Sequence, residues 1–296
     1  MRLAFALLLA SCGNASVGTT PGEDGSQPDV RTEIDGAIPP TTDGAASPTT
    51  DAGADGAVPP SIWTPAPRTS WQWQLTGTID TSFDVAMYDI DLFDAPQSVI
   101  DSLHASGRIV ICYFSAGSYE NWRPDTADFP TAALGNPLSG WPGERWLDVR
   151  STGVRDVMRA RLDRAVTKRC DGVEPDNVDG FANSTGFPLT AANQLDYNRF
   201  LASEAHARGL SVGLKNDPDQ VSMLVGNFDW ELDEECLQYS ECDKLAPFIA
   251  AGKAVFHVEY SDVTNAATVC PQTQPLQFST LIKHRDPVDA WRVACP

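Results

Sequence analysis

The residues best placed for chemistry lie in Cys170-Asp-Gly-Val-Glu-Pro-Asp-Asn-Val-Asp-Gly-Phe181, which carries Asp171, Glu174, Asp176 and Asp179. The stretch begins as a buried strand and ends as a loop punctuated by Gly172, Pro175 and Gly180. Carboxylates at a strand exit lose hydration that must be recovered from partners, so they do little for a core. At the open end of a parallel barrel they can do general acid and base work. A second acidic stretch, Asp233-Glu-Glu235, follows 58 residues after Asp176, counted to Glu234. Two βα units of a barrel span roughly 60 residues, so Asp176 and Glu234 can stand at the same height on strands 4 and 6. Two carboxyl groups, one protonated and one ionised, are the usual apparatus for cleaving a glycosidic bond.

Positioning these groups requires a scaffold, and the chain supplies one from Trp63 onward. Short apolar runs at 71–75, 84–89, 108–114, around 172, 210–215, 228–232, 253–260 and 276–283 alternate with helical patterns. The helices are expected at 96–104, 153–169, 190–208, from 218 and at 244–251, with Val154, Val157, Met158, Leu162, Ala165 and Val166 inward on the second. Eight such units imply a parallel sheet with crossovers and an α/β (β/α)8 TIM barrel as a single catalytic domain over 63–296. An open doubly wound sheet is the alternative, but no G-x-G-x-x-G follows an early strand. Residues 115–149 are expected to form one long loop, ordered by Tyr119, Trp122, Trp141 and Trp146. A short tail ending near Cys295 completes the domain.

The polar residues fall at the expected strand exits: Asp89 and Asp91, Ser115, Asp176, Lys215 and Asn216, Glu234, then Glu259 and Tyr260. With the aromatic side chains Tyr113, Tyr119, Trp122 and Tyr260, this composition suits a sugar, whose C–H faces stack on rings and whose hydroxyls bond carboxylates and amides. Asn177 and Asp179 beside Asp176 are further candidate ligands. Two other chemistries compete on the same residues: a divalent ion held by Asp176 and Asp179, or a Schiff base on Lys215.

The chain of 296 residues has 40 acidic and 21 basic residues, a net charge of −19. Nucleic acid is therefore an unsuitable partner, whereas a cationic or neutral ligand is favoured. Residues 1–12 carry one positive charge, a short apolar run and Leu9-Ala10-Ser11-Cys12, which resembles a lipoprotein signal with Cys12 as the lipidated residue. An ordinary export signal is the alternative, and either makes the protein exported. The expected location is the bacterial cell surface, the periplasm or the medium, with membrane contact only through the anchor. Residues 13–62, rich in Thr, Pro, Gly, Asp and Ala, have no apolar face to bury and are expected to be a disordered linker. Without Cys12, six cysteines remain: Cys112, Cys170, Cys236, Cys242, Cys270 and Cys295. Export favours three disulfides among fifteen possible pairings. Locality favours 236–242 and 270–295, leaving 112–170. No cysteine or histidine spacing resembles a zinc site, no cofactor is expected, and the chain is expected to be a monomer.

Five ordered motifs resemble glycoside hydrolase family 114: Trp71-Gln-Trp-Gln-Leu-Thr-Gly77, Cys112-Tyr-Phe-Ser-Ala-Gly-Ser-Tyr-Glu120, Asp171–Asp179, Leu214-Lys-Asn216 and Glu234–Cys242. The resemblance covers about residues 67–296. It implies a (β/α)8 endo-α-1,4-polygalactosaminidase acting on galactosamine-rich exopolysaccharide, with Asp176 and Glu234 as its catalytic aspartate and glutamate. A partly deacetylated polymer of this kind is cationic, and Asp89, Asp91, Glu120 and Asp179 near the mouth would suit it. One position departs from the pattern: Asp233 stands where asparagine is expected, and an added carboxylate there would raise a neighbour's pKa. A sugar-binding protein on a barrel that has lost catalysis is the competing function.

Overall fold

A computed structural model describes residues 62–285 and 288–296. The expected signal peptide, Cys12 and all but the last residue of the expected linker lie outside the described residues.

Eight parallel strands run in chain order: β1 (Trp71–Gln74), β2 (Met87–Asp91), β3 (Ile109–Ser115), β4 (Gly172–Asp176), β5 (Ser211–Lys215), β6 (Trp230–Glu234), β7 (Val255–Tyr260) and β8 (Ser279–Lys283). Each pairs in parallel with the next. Helices α1 (Gln97–Ala105), α2 (Thr152–Lys168), α3 (Ala191–His206), α4 (Val221–Leu224), α5 (Ala246–Ala250) and α6 (Ala266–Thr273) fill the connections from β2 to β8. This is the (β/α)8 barrel that the alternation of elements implies.

The expected tail is instead a ninth strand. β9 (Arg292–Ala294) pairs antiparallel with β8, and the residues before it bond to β1. The Val288 carbonyl accepts Leu75 N–H at 3.0 Å and Thr76 N–H at 3.2 Å. The Gln72 side chain donates to the Ala290 carbonyl at 2.9 Å, and Arg292 donates to the Trp71 carbonyl. The segment 288–294 therefore seals the seam between β8 and β1.

Strand alternation sorts side chains into two cores. Trp71, Trp73, Met87, Ile111, Trp230, Leu232, Phe256, Val258 and Leu281 fill the barrel interior. Trp230 needs Gly213 beside it: a Cβ there would meet its indole at 2.2 Å. Tyr88, Ile90, Val110, Cys112, Phe114, Val173, Val212 and Leu214 face the helices. On α2, Val166 is exposed rather than inward, and Arg161 is buried in the stripe with Val157, Met158, Leu162 and Ala165. The reason is the pitch: each four-residue step drifts about 40° around the axis, so position 166 has rotated off the stripe begun at Val154. Arg161 is held by Asp125 at 2.8 Å and by the Ser115 carbonyl at 2.6 Å.

Strands β2 and β6 extend further toward the mouth than apolar patterning indicates, because their last residues are acids: Asp91 in β2, Asp233 and Glu234 in β6. Residues 115–149 are more ordered than a loop. Strands Ser118–Glu120, Leu134–Pro137 and Glu144–Leu147 form a separate antiparallel sheet, anchored by Tyr119 packed edge-on against Phe129 at 5.6 Å. The disulfides are Cys112–Cys170, Cys236–Cys242 and Cys270–Cys295.

Candidate active site

The site is built by the last residues of β4, β5 and β6. Glu174 and Asp176 lie two apart in β4, so both point into the barrel, one above the other. Lys215 ends β5 and is buried beside them, with its ammonium 2.5 Å from Glu174, 3.6 Å from Asp176 and 3.5 Å from Glu234. Asp176 and Glu234 thus meet over one cation. The residue after each of these strands, Asn177, Asn216 and Glu235, has a left-handed backbone with φ of 60°, 46° and 65°. This turn swings the chain off the rim and leaves the terminal side chain over the pocket. Asparagine tolerates that conformation better than most residues; Glu235 is held in it by Arg285, whose guanidinium spans both carboxylate oxygens at 2.6 and 2.9 Å.

Each mouth carboxylate accepts hydrogen bonds at both oxygens. Tyr113 Oη donates to Asp176 Oδ2 at 2.9 Å and Asn177 N–H to Oδ1 at 2.7 Å. Asn216 Nδ2 donates to Glu234 Oε2 at 2.7 Å, while the Asn216 side-chain oxygen accepts Glu234 N–H at 2.8 Å. Tyr260 Oη donates to Glu234 Oε1. Burial works against the charge on Glu234, but Lys215 and the bonds from Tyr260 and Asn216 outweigh it and hold the carboxyl below its ordinary range. Burial, then the neighbouring carboxylates, keep Tyr113 and Tyr260 protonated well above the usual phenol range, so both remain donors. Burial would lower Lys215, yet Asp176, Glu174 and Glu234 together hold it well above the usual range and therefore charged.

Below this floor Asp89 is fully buried; burial and then Glu174 push its carboxyl well above the usual range, so it is neutral and donates to Glu174. Trp73 Nε1 also donates to Glu174, at 3.1 Å.

Of the residues singled out in the sequence, Tyr113, Asp176, Asn177, Lys215, Asn216, Glu234 and Tyr260 line one pocket. The others do not line it. Asp89 lies beneath the floor. Asp91 and Glu120 are gripped by Arg123 at 2.7 and 2.8 Å. Ser115 is buried in a network with Ser118 and Asn177. Tyr119 packs in the loop sheet, and Trp122 is 51% exposed. Asp179 is buried and accepts from Asn183 at 3.0 Å, away from the partners of Asp176. Asp233 pairs in register with His257, and alternation turns it to the opposite face of β6 from Glu234; the expected upward push on Glu234 is not seen.

Sequence patterning missed Trp73, Trp141, Glu144 and Arg285 as pocket residues, while Glu235, in the second acidic stretch, does line it. Glu174 had a legible signal, since its two-residue spacing from Asp176 gives both the same face. Glu144 had none: it comes from the small sheet inside the long connection. Its carboxyl is buried, accepts Ser118 Oγ at 2.6 Å, and is pushed up to about 7 by burial and then by Glu120 and Asp176.

A parallel eight-stranded barrel with two carboxyl groups converging at its mouth is an arrangement suited to glycosidic-bond hydrolysis. The chain belongs to glycoside-hydrolase family GH114, whose model matches residues 53–296. Among solved structures it is similar to Aspergillus fumigatus Ega3, described in complex with galactosamine: 45% identity, TM-score 0.76, covering 81% of this chain and 100% of that one. It also resembles in fold the glycoside hydrolase domain of PelA from Pseudomonas aeruginosa, at 13% identity and TM-score 0.60, covering 76% of this chain and 98% of that one. No curated protein sequence matches it.

Proposed function

We propose that the protein is an endo-acting hydrolase of α-1,4 bonds in galactosamine-rich polysaccharide, with Asp176 and Glu234 as the reacting carboxyl groups. The observation that carries this is their convergence on Lys215 in one pocket at the mouth. The galactosamine in the Ega3 complex supports the sugar class. Glu234, held ionised by its donors, attacks the anomeric carbon or activates water. Asp176 is the second carboxyl group that the cleavage requires. Asn216 and Tyr260 fix the Glu234 carboxylate, and Tyr113 fixes Asp176. The aromatic ring of Trp141, on the pocket wall, offers a face for sugar C–H groups.

We further propose export through the signal at residues 1–12, lipidation at Cys12, a flexible tether over 13–62 and action as a monomer. The experiment is incubation with purified galactosamine polymer, with products sized by mass. Internal cleavage by the wild type, lost by about a thousandfold or more in both Asp176→Asn and Glu234→Gln, is expected. Wild-type turnover in both variants would defeat the assignment.

A further inference from the structure

The charges lining the pocket are unequally matched. Glu235 is paired with Arg285, and Asp176 and Glu234 share Lys215. Glu144 has no ion pair among the described residues. It is 7% exposed, and among the described residues its one side-chain hydrogen bond is from Ser118 to Oε2, at 2.6 Å. Its other oxygen has no hydrogen-bond partner among the described residues and opens on the pocket that Glu144 lines. Across the strand pair stands Glu120, whose charge Arg123 already takes up. The carboxyl is thus an acid on a cavity wall with no cation of its own.

Such a group is stored neutral. Burial and its acidic neighbours hold its proton to about pH 7, which avoids the cost of an unpaired buried charge. A cationic ligand changes the balance: when an ammonium arrives, the carboxyl loses its proton to solvent and gains a charge-assisted hydrogen bond. Asp176, Glu234 and Glu174 already share Lys215, whereas the Glu144 wall has no cation among the described residues and is left to the incoming ammonium.

We infer that Glu144 is the receptor for the free amino group of a substrate sugar and the residue that distinguishes amino from N-acetylamino sugars. This rests on the proposed galactosamine specificity and locates it in one side chain. Binding is then Glu144–COOH plus R–NH3+ giving the ion pair plus one proton released. An acetamido sugar has no charge to offer, so it leaves Glu144 protonated.

The test is calorimetric titration of the wild type and Glu144→Gln with galactosamine and with N-acetylgalactosamine at pH 5.5 and 6.5, in buffers of different ionisation enthalpy. For the wild type, galactosamine binding is expected to release close to one proton and to tighten by a factor approaching ten between the two pH values. N-acetylgalactosamine is expected to show neither effect. Glu144→Gln is expected to weaken galactosamine by about ten- to a hundredfold, to abolish proton release, and to leave N-acetylgalactosamine affinity as it was. In turnover of the deacetylated polymer the loss should fall on KM rather than kcat. Absence of proton release in the wild type overturns the inference, and that measurement needs no variant to fold. Equal weakening of both sugars, or a loss in kcat alone, which would mark a proton donor, also overturns it. Proton-linked binding without any polymer cleavage would defeat the proposed hydrolysis while supporting the amine receptor.

Discussion

Lys215 Nζ and Glu174 Oε1 stand 2.5 Å apart inside the barrel, with side chains 1% and 0% exposed. Removing one partner of such a pair strands the other as a buried charge. Lys215→Met is expected to lower unfolding free energy by about 3–5 kcal/mol, measured by denaturant titration. Because Lys215 also helps to hold Glu234 ionised, the acid-side loss of activity should move to higher pH in any folded fraction.

Asp89 offers a stability test with the opposite sign. Its folded-state pKa is raised, chiefly by burial and then by Glu174. Below about pH 4 it is protonated whether folded or unfolded. As pH rises, the unfolded chain ionises while the folded chain keeps the proton, so stability is lost. Asp89→Asn keeps a donor to Glu174 without that penalty. It should match the wild type in thermal melts near pH 3.5 and melt higher than it at pH 7.

Asn216 both donates to and accepts from Glu234. Asn216→Ala removes both bonds and should reduce kcat by about ten- to a hundredfold through misplacement of the carboxylate. The lowered pKa of Glu234 depends in part on the same donor. The variant's acid limb should therefore rise in pH; an unmoved limb in the pH–rate profile would contradict this account.

The Cys112–Cys170 disulfide ties β3 to the connection that leads into β4, across a separation of 58 residues. Loop-closure entropy gives it a contribution of about 4 kcal/mol. Replacing both cysteines by alanine should lower the melting temperature, read by calorimetry, while reducing agent has no further effect on that bond's share.

Most of the scaffold was legible because parallel strands buried on both faces are written as apolar runs between helical patterns. The central pair was legible too, since Asp176 and Glu234 fall two βα units apart. What failed did so for physical reasons. Asp89 and Asp91 resemble exposed loop acids by residue type, yet one is kept neutral by burial and the other is neutralised by Arg123. Glu144 depends on pairing between segments of a long connection, which no local periodicity records. β9 went unrecognised because three residues are too few to show alternation.

The seam constrains how the molecule is made. Residues 288–294 lie later in the chain than all eight parallel strands, yet they supply the contacts that join the last of these to the first. A polypeptide emerging amino end first can therefore assemble only an incomplete arc, with Trp71 and Trp73 at its unsealed margin. Closure awaits the final stretch, and the Cys270–Cys295 crosslink then fastens it in place.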